Sequence, residues 1–357
     1  MKYLTPFVPD PLARLLVNRL RLSALGGGIV AFFLSAAYIF GLTAVFGLLA
    51  TESNLRAMLA DFSDVGILLA ICPAIWVYYL WQVKSIPEEL SGLEQSAQDP
   101  KKMAEEVERQ KQKVAKSVLP MLLSTAVALL LSALNLKLTL PRLGETWLAH
   151  NWQMIAAMQI IRLPAFYMVS MVAIKLTLSS IMLNRIVSRQ SLKIILLHPD
   201  GRGGLSSLGK YAITSASAVP IAGLYLGLVW AREGITALAP GGLYFPAFLI
   251  YVLVSPFLLA LPILNAHEQM KTAKSRLLGE IAELFEQEYA GLTRQLHQNV
   301  LAPDVAIRLR AFKKMYHTAE NAPVWPIDLT LLSQFIIAII IPLIIPIVLR
   351  ILTDLLP

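Results

Sequence analysis

The sequence predicts an all-α fold, a polytopic transmembrane helical bundle of about seven spans with cytoplasmic helical extensions, and three observations carry that prediction. Apolar residues make up 56% of the chain and charged residues only 15%, at a mean hydropathy of +0.63, a balance suited to lipid rather than water. The apolar residues fall into separated runs, most of them near the ~20 residues that cross a bilayer. The basic residues cluster: 24 of the 31 Lys and Arg lie in residues 1–23, 84–117, 184–210 and 266–327.

Taken in order, Asp10-Pro11 reads as an N-cap followed by Pro at the first helical position. The next turns set Leu12, Leu15, Leu16 and Leu20 against Arg14, Arg19 and Arg21, which predicts an amphipathic helix lying in the membrane interface. Span one is expected over 24–50, opened by Gly26, Gly27 and Gly28, and span two over 65–82, with Trp76, Tyr78, Tyr79 and Trp81 suited to headgroup level. Residues 84–117 are hydrophilic, with seven basic and seven acidic residues. Pro87 and Asp99-Pro100 predict two helix starts there, and Glu105/Arg109 with Glu106/Gln110 suggest a solvated arm.

Span three is expected over 118–136. The fourth apolar run, 152–184, exceeds what a span requires, and its basic continuation through Arg185, Arg189 and Lys193 predicts a helix that passes Pro164 and projects beyond the membrane. Spans five and six are expected over 211–231 and 241–264. In the soluble piece 266–327, Met270, Leu277, Ile281 and Leu284 recur near heptad spacing, so this helix should pack on another. Asp304 is expected to cap a further basic helix. Trp325 and Pro326 then lead into span seven, 329–351, which contains Pro342 and Pro346. The division that results is 1–83, 84–117, 118–265, 266–327 and 328–357.

The basic bias places the N-terminus in the cytoplasm and the C-terminus outside, in the inner (plasma) membrane. It also accounts for the net charge of +8 without any nucleic-acid partner. The expected partners are the lipid bilayer, further copies of the chain and a cytoplasmic protein. The single Cys72 excludes an intramolecular disulfide and a cysteine-built metal site. No short apolar core with a cleavage site precedes span one, so no cleavable leader is expected. Neither a metal nor a cofactor is expected.

Residues 196–211 form a compact run of Gly, Pro, Asp and basic residues between two apolar runs, and an irregular backbone of that kind belongs at a membrane surface. Its candidate site comprises Asp200, Gly201, Arg202, Gly203, Gly204 and Lys210. Successive backbone N–H groups there can cradle a headgroup phosphate or a soluble anion. The plainer reading is that these glycines only permit positive φ in a tight turn. Gly204 to Lys210 matches a phosphate-binding P-loop up to Tyr211, which stands where Ser or Thr should hold magnesium. His198-Pro199-Asp200 matches the J-domain tripeptide without the rest of that small soluble domain. Arg162 and Lys175, as charges inside span four, are candidates for a functional interior position. His267 at the end of span six is expected to dock against the His198–Asp200 loop.

On these boundaries no Asp or Glu lies inside a span, and neither His-Glu-x-x-His nor Gly-x-Ser-x-Gly occurs. These absences speak against an enzyme and against ion-coupled carriers. The leading expectation is an oligomeric gated pore or channel-like protein, with span seven lining it and the 266–320 helices as a collar. The alternative is a non-conducting sensor or scaffold whose cytoplasmic helices bind a protein partner. A lipid-acting enzyme would need Asp200, His198 and His267 to converge.

Three stretches, His198 to Leu205, Ala266 to Lys274 and Trp325-Pro326-Ile327-Asp328, resemble a group of prokaryotic multi-pass membrane proteins to which no activity is attached. That group shares a His-Pro-Asp-x-x-Gly-Gly-Leu loop, and Ile327 stands where its members carry an aromatic residue. In topology alone the chain is similar to insect odorant-receptor channels, tetramers that assemble through cytoplasmic helices and conduct cations. The likeness implies assembly through the 266–320 region.

Overall fold

The structure is a computed structural model that describes residues 9–48, 61–95, 97–190, 192–196, 198–234, 238–242, 244–297, 303–327 and 329–355. Among these the fold is all-helical, and the only extended pairing is an isolated bridge between Ala97 and Leu192. Twelve α-helices among the described residues organise it, and a short thirteenth, Phe62–Gly66, runs through a π-helical turn, Ile67–Ile71, into the third of them. The twelve begin with α1 (Pro11–Ala13), continued by a π-helical turn (Arg14–Arg19), α2 (Ala24–Val45), α3 (Cys72–Gln95), α4 (Pro100–Ala115), α5 (Leu119–Thr139) and α6 (Trp152–Arg189). There follow α7 (Ser206–Ala216), α8 (Val219–Glu233), α9 (Phe245–Ala260), α10 (Leu264–His297), α11 (Pro303–Glu320) and α12 (Leu329–Leu355).

Six helical stretches among the described residues are long and apolar enough to cross a membrane: Ala24–Val45, Asp64–Val83, Leu119–Arg142, Trp152–Arg189, Ser206–Glu233 and Phe245–Gly291. The expected seventh, α12, carries a shorter apolar stretch, Leu332–Val348. Their composition and length make the chain an integral membrane protein.

Because lipid tails are as apolar as leucine, spans gain little by hiding leucines from lipid and approach each other through small residues instead. α2 buries Gly27, Gly28, Ala31 and Ser35, and a Cβ at Gly27 or Gly28 would overlap Leu80 or Val77 of α3. α5 turns Pro120, Ser124, Ala128 and Ser132, each one turn after the last, inward, and Ser132 donates to Gln159 Oε1 on α6 at 2.7 Å. Its Leu122, Leu129 and Leu130 stay exposed, as a lipid-facing row requires. α8 meets α12 the same way: a Cβ on Gly227 would stand 2.7 Å from the Pro342 carbonyl oxygen and 3.0 Å from Pro346 Cγ. The two prolines of the last span are therefore clamped against glycines of α8.

Several expectations change. α3 runs on through Pro87 to Gln95, so Pro87 starts no helix, whereas Asp99 does cap α4, accepting from Lys102 N at 3.2 Å. The 84–117 arm is also less solvated than expected. Met103, Glu106, Val107 and Gln110 of α4 are buried, and Glu106 pairs with Arg109 and, at 3.1 Å, with Arg189 at the end of α6. Burial opposes ionisation of Glu106, but Gln110 and the two arginines outweigh it and hold the carboxyl below its ordinary range. α6 does pass Pro164 unbroken for 38 residues, about 57 Å at 1.5 Å per residue. Span six does not stop near 264 but continues through a 3₁₀ turn, Leu261–Ile263, into α10.

Candidate functional site

The N-terminal segment is fastened into the bundle at its first turn, while Leu15 and Leu20 stay exposed. Asp10 caps α1 as expected, its Oδ1 accepting from Ala13 N at 3.2 Å, but the residue is wholly buried. Tyr79 of α3 donates to Asp10 Oδ2 at 2.6 Å, Tyr167 of α6 to Oδ1 at 3.2 Å, and Lys175 Nζ of α6 to Oδ2 at 2.7 Å. The Lys175 side chain is 3% exposed, and its ammonium sits 4.6 Å from the Tyr79 ring centroid, a cation–π distance. Lys175 therefore does not snorkel to a surface. The segment leaves this site through Arg21, whose φ of 54° makes it the only non-glycine residue in the left-handed region among those described.

A second charge cluster ties helix ends together at the other end of the bundle. Asp64, at the start of the second candidate span, is buried and pairs with Arg232 of α8. Glu233 accepts both arms of Arg142, at 2.7 and 2.8 Å, and Arg232 Nε at 2.9 Å. Asp61 accepts from Trp147 Nε1 at 2.9 Å. Arg162 lies deeper, donating to Asn135 Oδ1 at 2.9 Å, with Gln159 bridging to the same oxygen. Both intramembrane cations of span four thus face protein partners.

Within the predicted boundaries the spans hold no carboxylate, but these two clusters bring carboxylates against them from outside. Asp10 reaches the interior on a segment outside every predicted span, and Asp64 sits one residue before the predicted start of span two. Missing acids therefore do not speak against an ion-coupled carrier.

The 198–205 loop is built around its own anion. Gly201, Gly203 and Gly204 have φ of 62°, 68° and 80°, the left-handed turns that glycine permits. The resulting curl aims Arg202 N, at 2.9 Å, and Gly204 N, at 3.1 Å, at Asp200 Oδ1. His198 Nδ1 stands 2.8 Å from the same oxygen. Burial disfavours the charge on Asp200, but the two amides and His198 outweigh it and hold the carboxyl below its usual value. The Asp200 carboxylate thus occupies the cradle expected for an external anion. Lys210 points outward from α7 and is exposed.

His267 is not docked on this loop, a second correction. Its Nδ1 lies 2.8 Å from Val324 O and its ring stacks on Trp325 at 3.8 Å, because α10 turns that face toward the entry of α12. Met270, one turn on, makes the contact with the loop: a Cβ on Gly203 would stand 3.1 Å from Met270 Cε. Gln269 completes the joint, accepting from Leu192 N at 3.0 Å and donating to Val187 O at 2.6 Å, while Asn265 donates to Asn184 O at 2.9 Å. His198, Asp200 and His267 therefore do not form one catalytic group.

Among the described residues no group of three or more His, Cys, Asp or Glu is placed to hold a metal ion. No family model, no curated protein and no solved structure matches this chain.

Proposed function

We propose that the protein is a gated membrane pore assembled from several copies, worked by the α10–α11 hairpin. One observation carries this reading: Phe245–Gly291 is a single helical run, so the same rod is a span at one end and an extramembrane arm at the other. A displacement of the arm is delivered to the spans at the joint where Asn265, Gln269 and Met270 grip the end of α6 and the 198–204 loop. The basic bias supports a cytoplasmic position for the arm.

The pore wall would be α12. One face is clamped on Gly223 and Gly227 of α8, and the other exposes Ile337, Ile341, Ile344 and Val348. Such a face, repeated around a symmetry axis, makes an apolar constriction that gates by dewetting. The test is single-channel recording of purified protein in planar bilayers. Discrete openings, whose frequency changes in Gln269→Ala, support the reading, and silence across voltage and membrane tension overturns it.

The competing reading is a non-conducting sensor or scaffold. It is favoured by the apolar residues that the hairpin exposes, Leu284, Tyr289, Ile307, Met315 and Tyr316. Silent bilayers together with capture of one specific soluble protein, lost on substituting Tyr289 and Tyr316, would decide for it.

A further inference from the structure

Asp10 is held by groups that belong to other elements. Tyr79 stands on α3, and Tyr167 and Lys175 stand two turns apart on one face of α6, so the three donors are set by two spans independently of the N-terminal segment. Together with Ala13 N they place four donors around one carboxylate, at 2.6 to 3.2 Å. A single cation balances a single anion there. A dianion such as phosphate would leave excess charge in the interior, which is costly.

Beside this cluster a groove of about 290 Å³ runs between α5 and α6, lined by Leu12, Thr125, Ala128, Leu129, Leu163 and Tyr167 among others. It opens where Leu129 and Leu163 are exposed on the lipid-facing side. Its wall is apolar because the Thr125 hydroxyl is turned back onto Met121 O at 2.9 Å. Tyr167 joins the two features, lining the groove and bonding Asp10 through its hydroxyl. Counting a methylene at the ~30 Å³ of a water molecule, the groove holds a chain of about ten carbons.

We propose that α3 and α6 form a binding site for an aliphatic carboxylate, with Asp10 as its tethered occupant. The ligand's alkyl chain takes the α5–α6 part of the groove, formed by Thr125, Ala128, Leu129, Leu163 and Tyr167, which remains when Leu12 leaves with the N-terminal segment. Its carboxylate then takes the place of Asp10 on Lys175, Tyr79 and Tyr167. The exchange is feasible because Lys175 keeps a counter-ion throughout, and no buried charge is stranded. The inference does not depend on whether the protein conducts.

The test uses the full chain in uncharged phosphatidylcholine nanodiscs. Asp10→Ala should lower the melting temperature. Decanoate should restore it at aqueous concentrations at least about a hundredfold below those needed with acetate, since each methylene taken out of water adds to affinity. Decanol should restore nothing, and Asp10→Ala combined with Lys175→Met should answer to neither carboxylate. In the wild type, decanoate should raise hydrogen exchange of the amides of residues 13–20 as the segment is displaced. Should Asp10→Ala fail to fold, this exchange measurement decides alone. Failure of both carboxylates to stabilise Asp10→Ala, with wild-type exchange unmoved, overturns the site. Equal effects of decanol and decanoate overturn the carboxylate, and equal potency of acetate and decanoate overturns the groove as the place of the chain.

Discussion

At Asp10 one carboxylate collects donors from two spans and one lysine balances it, whereas at the opposite end Arg142, Arg232, Asp64 and Glu233 share partners. The first cluster is closed, with side chains 3% and 0% exposed; the second leaves Arg142 41% and Arg232 26% exposed. A closed pair has no reserve, so removing one member strands the other in a medium that cannot solvate it. A shared network re-pairs, and water reaches what is left over. One chain thus carries an all-or-none fastening at its N-terminal segment and a forgiving one across its helix ends.

The largest effect should come from breaking the closed pair. Lys175→Met is expected to cost about 3–5 kcal/mol, read as a fall in melting temperature in nanodiscs. Combining it with Asp10→Asn should recover most of the loss, because neither member then remains charged and alone. A double variant as unstable as the single one would mean that packing of the segment, not its charge, holds it in place.

Next in size is the α8–α12 contact, which separates the charge clusters from the proposed pore wall. Gly227→Leu must push α12 off the Pro342 and Leu343 carbonyls, and overpacking of this kind costs about 1–3 kcal/mol. Its signature is a melting shift smaller than that of Lys175→Met together with altered conductance. Normal openings in a stably folded variant would remove α12 from the gate.

The network end should respond less. Glu233→Gln takes one acceptor from Arg142 and Arg232, but Arg232 keeps Asp64, so a loss of about 1 kcal/mol is expected by thermal unfolding. A loss equal to that of Lys175→Met would show that the network is as closed as the Asp10 site.

What could be read in the sequence follows this same division. Spans announce themselves by composition, and caps by local grammar: Asp10-Pro11 and Asp99-Pro100 cap helices as their spacing predicts. Pairing across the fold has no such grammar. An N-cap role fully accounts for Asp10 in the sequence, so nothing there asks for a second partner, and Lys175 stands alone as a charge in a span. The one signal was the cost of an unpaired intramembrane lysine, which demands a carboxylate from somewhere. Pro87 misled for the opposite reason: a proline marks a helix start only when the preceding turn is not already held by neighbours, and α3 is packed on α2 and α6. The sequence puts His267 at the right end of the bundle but on the wrong neighbour, since helix phase sets which face it turns, and phase depends on the 3₁₀ turn at Leu261–Ile263.

The effect expected to be smallest on global stability, because it stays local, lies in the 198–204 loop, whose carboxylate is held chiefly by main-chain groups rather than a buried counter-ion. The folded Asp200 carboxyl is pulled below its ordinary value, so ionised Asp200 stabilises the loop at every pH above its unfolded value of about 3.9. That contribution is lost as pH falls through the lower, folded value. Hydrogen exchange at Arg202 and Gly204 should therefore stay slow, relative to unfolded reference rates, from neutral pH down to about pH 4 and lose protection only below it. Asp200→Asn keeps the shape but not the charge, and should cost about 1–2 kcal/mol of local protection while erasing the acid-dependent step. Because Met270 rests on Gly203, loosening the loop also loosens the base of α10, and a matching rise in exchange at the start of α10 would tie this turn to the lever. Loop amides that exchange faster while α10 is unmoved would confine Asp200 to its own turn.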